Sequence, residues 1–150
     1  MSLRGKLVSQ VEIKSDGDVF HYLFRYKLHH LSNVSPDIVQ SVELHDGEWG
    51  TVGSVIFSNY TLDGKEEVAK QIIEAIDEER RSVTYKVIEG HLLESYKTFS
   101  ITVHVDIHGE SSLVTWTFDY EKLNETIPDP NKLMDAALKV TQEIETHHLK

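Results

Sequence analysis

The chain has 150 residues and a formal net charge of −10, with 39% hydrophobic and 27% charged residues and no cysteine. Nucleic acids and anionic membranes bind clustered lysine and arginine, so this acidic balance argues against both as main partners. The length suits one well-buried core and is short for two. We therefore expect a single domain over residues 1–150.

The distribution of apolar residues predicts where the protein resides. Met1–Gln10 lacks the basic and then apolar pattern of a secretory leader. No apolar run approaches the ~20 residues that a membrane span requires. We expect a cytoplasmic protein without stable membrane insertion.

The first elements predicted are a strand and a short helix. Lys6–Ile13 alternates apolar and polar residues, as a half-buried strand does. Ser15 and Asp18 then resemble a capping box, which marks the start of a helix. The apolar residues that follow fall on one side of that helix: Val19, Phe20, Leu23 and Phe24.

A second short helix is predicted a little further on. Ser35 followed by Pro36 combines a good N-cap with a residue that suits the first helical position. Ile38 and Val39 would give this helix apolar side chains to bury before Gln40.

The middle of the chain contains a conflict between two local signals. Ser41–Leu62 predicts two strands joined by Asp46–Gly50, and the pair Asp63-Gly64 suits a hairpin turn that a further strand should follow. The composition of Glu66–Arg80 instead favours a helix, because its apolar residues recur at helical spacing. These residues are Val68, Ala69, Ile72, Ile73 and Ile76.

Three alternating segments then predict three more strands, at Ser82–Glu89, Tyr96–Ile107 and Leu113–Glu121. This succession indicates an α+β protein in which a helix covers one face of a curved antiparallel sheet.

The covering helix is predicted at Asp129–Leu149. Asp129 is a good N-cap, and Pro130 suits the first helical position. One apolar stripe recurs at helical spacing: Leu133, Ala136, Ala137, Val140 and Ile144.

Several motifs resemble a known plant family. They are Glu43–Ser54 (ELHDGEWGTVGS), Asp63–Lys65, Val87–Gly90 and Val114–Lys122, and together they span most of the chain. They resemble the major latex proteins, a subfamily within the superfamily of the birch-pollen major allergen and the class-ten pathogenesis-related proteins. The closing pattern Glu143–Leu149 is similar to that of a member of the same subfamily.

The resemblance implies a helix-grip fold. In that fold a seven-stranded curved antiparallel sheet wraps around a long C-terminal helix, and two short helices follow the first strand. It also implies that Glu66–Asp77 is a strand. We adopt that assignment, because tertiary context overrides local propensity and the Asp63-Gly64 turn requires a hairpin partner.

The resemblance further implies an internal cavity that takes up lipophilic or amphipathic small molecules, in plant defence or fruit ripening. Residues on the inward faces would line it, with Tyr85 and Thr98 as polar groups. The same apolar faces would suit a packed core equally well. The expected cavity residues are Val55, Phe57, Val83, Tyr85, Phe99, Ile101, Trp116, Phe118, Leu133, Ala137 and Val140.

Neither a cofactor nor a metal site is predicted. Gly47–Gly53 could let backbone amides approach a phosphate, but an acidic residue and an indole inside the loop oppose an anion. The adjacent pairs His29-His30 and His147-His148 point about 100° apart on a helix, so neither pair suits one ion. We expect the second pair to favour the helix C-terminus through the helix dipole.

The leading hypothesis is therefore non-enzymatic binding or carriage of a lipophilic small molecule by a monomer or weak dimer. The alternative is a cavity enzyme of specialised metabolism that catalyses a condensation of the norcoclaurine-synthase kind or an isomerisation, because some members of the superfamily catalyse alkaloid condensations with a lysine, a tyrosine and carboxylates. Lys97 shares strand parity with Phe99 and would be the base if it entered the cavity, with Tyr85 as its partner. A protein that acts through its surface is the third hypothesis.

Overall fold

The computed structural model describes residues 3–147 and the side chains as far as Thr146. Three helices are present in this part of the chain: α1 (Gly17–Tyr26), α2 (Leu31–Val34) and α3 (Asn131–His147). Seven strands accompany them: β1 (Arg4–Ile13), β2 (Val39–Asp46), β3 (Val55–Leu62), β4 (Lys65–Asp77), β5 (Ser82–Gly90), β6 (Tyr96–His108) and β7 (Ser111–Lys122). Two 3₁₀ turns, Leu28–His30 and His91–Glu94, precede α2 and β6.

The strands form one antiparallel sheet in the order β1-β7-β6-β5-β4-β3-β2. The pairing of β5 with β6 covers only Ser82–Lys86 against Ser100–His104, after which β5 continues beside β4 and β6 beside β7. The sheet therefore separates at one end, and the 3₁₀ turn His91–Glu94 lies between the separated strands.

Helix α3 buries one side against this sheet. Met134, Val140 and Ile144 are buried on α3 and belong to the same apolar core as the inward residues of β5, β6 and β7. The predicted α+β helix-grip architecture is confirmed, with seven antiparallel strands, a long C-terminal helix and short helices after β1.

The assignment of Glu66–Asp77 to a strand is also confirmed, and a β-bulge explains part of its helix-like pattern. Asp63 and Gly64 both have positive φ, 53° and 77°, as a primed hairpin turn requires. A bulge between Ile73 and Ala75 then shifts the register, so that Ile73 and Ile76 lie opposite the inward residues of β5. Two apolar residues three apart thus share one face of a strand.

The second short helix lies before Ser35, so its predicted position was wrong. α2 ends at Val34, the Ser35 amide donates to the Leu31 carbonyl, and Val39 already belongs to β2. Pro36 disfavours helical backbone at the residue before it, and Ser35 has φ −134° and ψ 60°. The serine–proline pair therefore ends this helix.

Two predicted helix caps also differ from the structure. Asp16, one residue after Ser15, caps α1 by accepting a hydrogen bond from the Asp18 amide at 2.9 Å. α3 begins at Asn131, and the Asp129 carboxylate accepts from the Tyr120 hydroxyl at 2.7 Å. A carboxylate near the start of a helix accepts hydrogen bonds from whichever donors the tertiary structure places beside it. The predicted end of α3 at Leu149, and His148 with it, lies outside the described residues.

Side chains of α3 hold the β1–α1 and α2–β2 connections. Glu145 accepts hydrogen bonds from the Lys14 amide and, at 3.3 Å, from the Ser15 hydroxyl. Glu143 accepts from the Ser35 hydroxyl at 3.0 Å. These contacts fix both connections to the helix that covers the sheet.

Candidate ligand-binding cavity

A cavity of about 150 Å³ lies between the concave face of the sheet and α3. α1, α2 and the first 3₁₀ turn contribute Phe24, Leu28 and Leu31 to its wall, and the second 3₁₀ turn contributes Leu92. Strands β2 to β7 and α3 contribute the rest: Ile38 just before β2, then Val39, Val42, Ile56, Ser58, Tyr60, Ala69, Gln71, Tyr85, Ile101, Trp116, Phe118, Leu133, Ala136, Ala137 and Val140.

Seven of the eleven residues expected at the cavity line it: Tyr85, Ile101, Trp116, Phe118, Leu133, Ala137 and Val140. Val83 and Phe99 are fully buried but belong to the packed core beside the cavity. Val55 and Phe57 are partly exposed and lie outside the lining. For these four residues the expected position at the cavity was wrong.

The error on β3 is one of strand parity. Val55, Ile56 and Phe57 are all apolar, so alternation does not show which face of β3 is inward. Strand pairing shows which face is inward, because Ser58 lies opposite Val42 on β2 and Ala69 on β4, which are both buried. The inward residues of β3 are therefore Ile56, Ser58 and Tyr60.

The wall formed by the short helices was missed because the second helix was placed too late in the sequence. Leu28 and Leu31 are three apart, the spacing of one helical face. That spacing was the available signal. Leu92, in contrast, lies in a 3₁₀ turn for which no periodic pattern exists.

Two polar groups of the wall already have partners inside the protein. The Tyr85 hydroxyl donates to the Phe24 carbonyl, and burial raises the pKa of this phenol. The Trp116 indole N–H donates to the Thr141 hydroxyl at 2.8 Å. Thr98, the other expected polar group, is exposed and lies outside the cavity.

Thr141 joins the sheet to the helix, and substitution with valine tests this link. Its hydroxyl accepts from Trp116 and donates to the Ala137 carbonyl at 2.9 Å. Thr141→Val should lower the free energy of unfolding by about 1–3 kcal/mol, because the buried indole N–H loses its acceptor.

Thr146→Val is the matched control, because exposed Thr146 makes the same bond within the helix, to the Gln142 carbonyl at 3.0 Å. Urea denaturation of the two variants gives the comparison. Equal midpoints would show that the indole bond contributes nothing measurable.

The remaining polar side chains of the wall, Ser58, Tyr60 and Gln71, lie on the inward face of β3 and β4, and we call them the polar end of the cavity. Burial, and then the charge of Glu67, raise the pKa of Tyr60 to about 12. Tyr60 is therefore a neutral hydrogen-bond donor at physiological pH. The polar end lies beside the separated strands, since Ala69 pairs with Gly90 at the end of β5.

The base that the enzyme hypothesis requires lies outside the cavity. The Lys97 side chain is 69% exposed, and its Nζ lies 3.6 Å from a carboxylate oxygen of Glu121. A register shift between Tyr96 and Thr98 interrupts the alternation on which the parity argument relied. Lys97 therefore points into solvent.

The glycine loop between β2 and β3 has structural contacts throughout. The Ser54 hydroxyl donates to the Glu48 carbonyl at 2.7 Å and accepts from the Glu48 amide at 2.9 Å. The Trp49 ring packs against the His29 ring, with the two ring centroids 4.6 Å apart. Gly50 has φ 80°, and a Cβ there would meet the ring of Tyr26. Glycine is therefore needed at this position for the turn and for close packing.

Within residues 3–146, whose side chains the structure describes, no group of three or more histidine, aspartate or glutamate side chains is arranged to hold a metal ion. The buried His21 lies 2.7 Å from Glu78, which also pairs with Arg25 at 2.5 Å. None of the described helices is long and apolar enough to cross a membrane.

Comparison with known proteins identifies the family. The description of the matching family is "Pathogenesis-related protein Bet v 1 family", and the match covers residues 2–150. MLP-like protein 34 from Arabidopsis thaliana is 48% identical over 95% of this chain, but the chain spans only 46% of that relative. The chain likewise spans about half of a second Arabidopsis relative, MLP-like protein 28.

Solved structures agree with this assignment. The crystal structure of ginseng major latex-like protein 151 from Panax ginseng is 55% identical, with a TM-score of 0.96 and 99% of each chain covered. Norcoclaurine synthase from Thalictrum flavum, with dopamine and hydroxybenzaldehyde, has a TM-score of 0.74 over 99% of this chain and 91% of its own. Its 19% identity shows a shared fold only. This chain belongs to the Bet v 1 family and is similar to its major latex proteins.

Proposed function

We propose that this chain binds lipophilic or amphipathic small molecules in the cavity between the sheet and α3, without chemical turnover. The observation that carries the proposal is the cavity wall, whose twenty residues include no charged side chain. Water in such a space has few partners, so an apolar molecule that displaces it gains free energy. The family description, which names pathogenesis-related proteins, supports an association with plant defence.

The cavity volume limits the size of the ligand that the protein can hold in this conformation. A space of about 150 Å³ holds one aromatic ring, since an apolar cavity of roughly this volume binds benzene. A larger ligand would need side chains of the wall to move apart, and those rearrangements reduce its affinity. Small apolar rings are therefore the appropriate first probes.

The alternative of a cavity enzyme has less support. Lys97, the candidate base, points into solvent, and the described residues that line the cavity include no lysine, histidine or carboxylate. General acid–base catalysis requires such a group within hydrogen-bond reach of the substrate. The similarity to norcoclaurine synthase shows a shared fold and is no evidence for a catalytic residue in this chain.

The test is a fluorescence titration of a Trp49→Phe variant with toluene. Trp116 is then the only indole, and it lines the cavity. We expect saturable changes in its emission, with nearly the same affinity at low and high salt because apolar burial is not screened. Non-saturable quenching, or loss of the signal at high salt, would refute internal binding.

A further inference from the structure

The polar end of the cavity has unused hydrogen-bonding capacity. Tyr85 and Trp116 have protein partners, as described above, but the side chains of Ser58, Tyr60 and Gln71 have none among the described residues. Their polar atoms are also not sealed within the protein, since the one fully buried unpaired side-chain atom in residues 3–146 belongs to His29. These groups are available to a molecule in the cavity.

The sheet register places Ser58 between the other two side chains, with Gln71 level with Ile56 and Tyr60 two residues beyond Ser58. Ser58 and Tyr60 are two residues apart on β3, so they share a face at a spacing of about 7 Å. Ser58 lies opposite Ala69, which makes Gln71 its diagonal neighbour on β4, about 7–8 Å away. One oxygen atom between them can contact two of the three side chains at hydrogen-bond distance.

The charges around the polar end exclude an anion. The cavity wall contains no lysine, arginine or histidine that would pair with a carboxylate. Glu67 lies opposite Tyr60 in the β3–β4 pairing, and its carboxylate is in contact with the ring of His91 at the edge of the site. A buried carboxylate without a cation, and with another carboxylate close by, would be strongly disfavoured.

From this arrangement, we infer that the cavity selects neutral aromatic molecules that carry one hydroxyl group, and that this hydroxyl binds Ser58 together with Tyr60 or Gln71. A hydroxyl both donates and accepts, and so do the serine and the glutamine amide, while Tyr60 stays protonated and donates. The aromatic ring then lies against the apolar wall toward Phe118 and Val140. This inference rests on the proposed function and adds the class of ligand.

The experiment compares benzene, phenol and benzoate at neutral pH, where phenol is uncharged and benzoate is an anion. The dissociation constants are measured by NMR titration of the Trp116 indole N–H in the intact chain. Phenol should bind more tightly than benzene, and benzoate should not bind. Ser58→Ala should weaken phenol about 2- to 10-fold relative to benzene, the usual effect of one hydrogen bond. Tyr60→Phe and Gln71→Leu identify the second partner, because only the variant that removes it should lower the ratio of the phenol affinity to the benzene affinity.

Tyr22→Phe is the matched control for Tyr60→Phe. Tyr22 lies on α1 outside the cavity and is 51% exposed, so this substitution removes the same hydroxyl group from a tyrosine away from the site. It should leave all three affinities unchanged. If phenol and benzene bind alike in every variant, or if benzoate binds as tightly as phenol, the polar end does not select the ligand and this inference is wrong, while the proposed function stands. If neither benzene nor phenol binds, the proposed function itself fails.

Discussion

Ala137→Phe is expected to weaken the binding of toluene at least 10-fold. Ala137 lines the cavity from α3, and a phenyl group at this position would occupy much of a volume of about 150 Å³. The variant should keep its stability or gain a little, because filling a cavity commonly adds about 0.5–2 kcal/mol. Fluorescence titration in the Trp49→Phe background measures the affinity, and urea denaturation measures the stability.

The chain supplies a matched control in Ala75→Phe. Ala75 lies on β4 and is exposed, so the same side chain is added outside the cavity. We expect native affinity in that variant. Native affinity in Ala137→Phe as well would mean that toluene binds somewhere other than the enclosure between the sheet and α3.

Removal of residues 130–150 should abolish cooperative folding. Without α3 the concave face of the sheet loses its cover, and Trp116 loses its hydrogen-bond acceptor. The β1–α1 connection also loses its bonds to Glu145. A large exposed apolar face promotes aggregation or a molten state.

Near-UV circular dichroism and dye binding distinguish these outcomes from a native fold. We expect the truncated chain to lose its near-UV signal and to bind a hydrophobic dye, while Ile144→Ala keeps a cooperative transition. That point variant removes one fully buried side chain and should cost about 2–5 kcal/mol. A truncated chain that unfolds cooperatively with an intact near-UV spectrum would show that the sheet does not depend on α3.

Much of the sheet could be predicted from the sequence because single-face burial produces strict alternation. On β7, Val114, Trp116, Phe118 and Tyr120 are all buried, as predicted, and β5 and most of β6 follow the same rule. Most inward positions of α3 follow equally from helical spacing, although Met134 and Thr141, outside the predicted stripe, are also buried. In these elements one local period determines which residues face the core.

The sequence-based predictions fail where the apolar–polar period does not distinguish the two faces of a strand, or where pairing with a neighbouring strand alters that period. Three consecutive apolar residues at Val55–Phe57 leave the inward face of β3 undetermined until its partners are known. The bulge beside Ile73 gives part of β4 a helical spacing, and the Asp63-Gly64 turn together with the family resemblance gave the correct assignment. The polar end of the cavity was missed for the same reason, since the expected cavity residues of β3 were Val55 and Phe57 and not Ser58 and Tyr60.

The most direct test of ligand binding between the sheet and α3 is a crystal structure of the protein soaked with toluene. We predict density for one aromatic ring inside the enclosure, in contact with Trp116, Phe118 and Leu133, which all line the cavity. An interior filled by the protein's own side chains, with toluene only on the surface or absent, would contradict a ligand-binding role for this cavity.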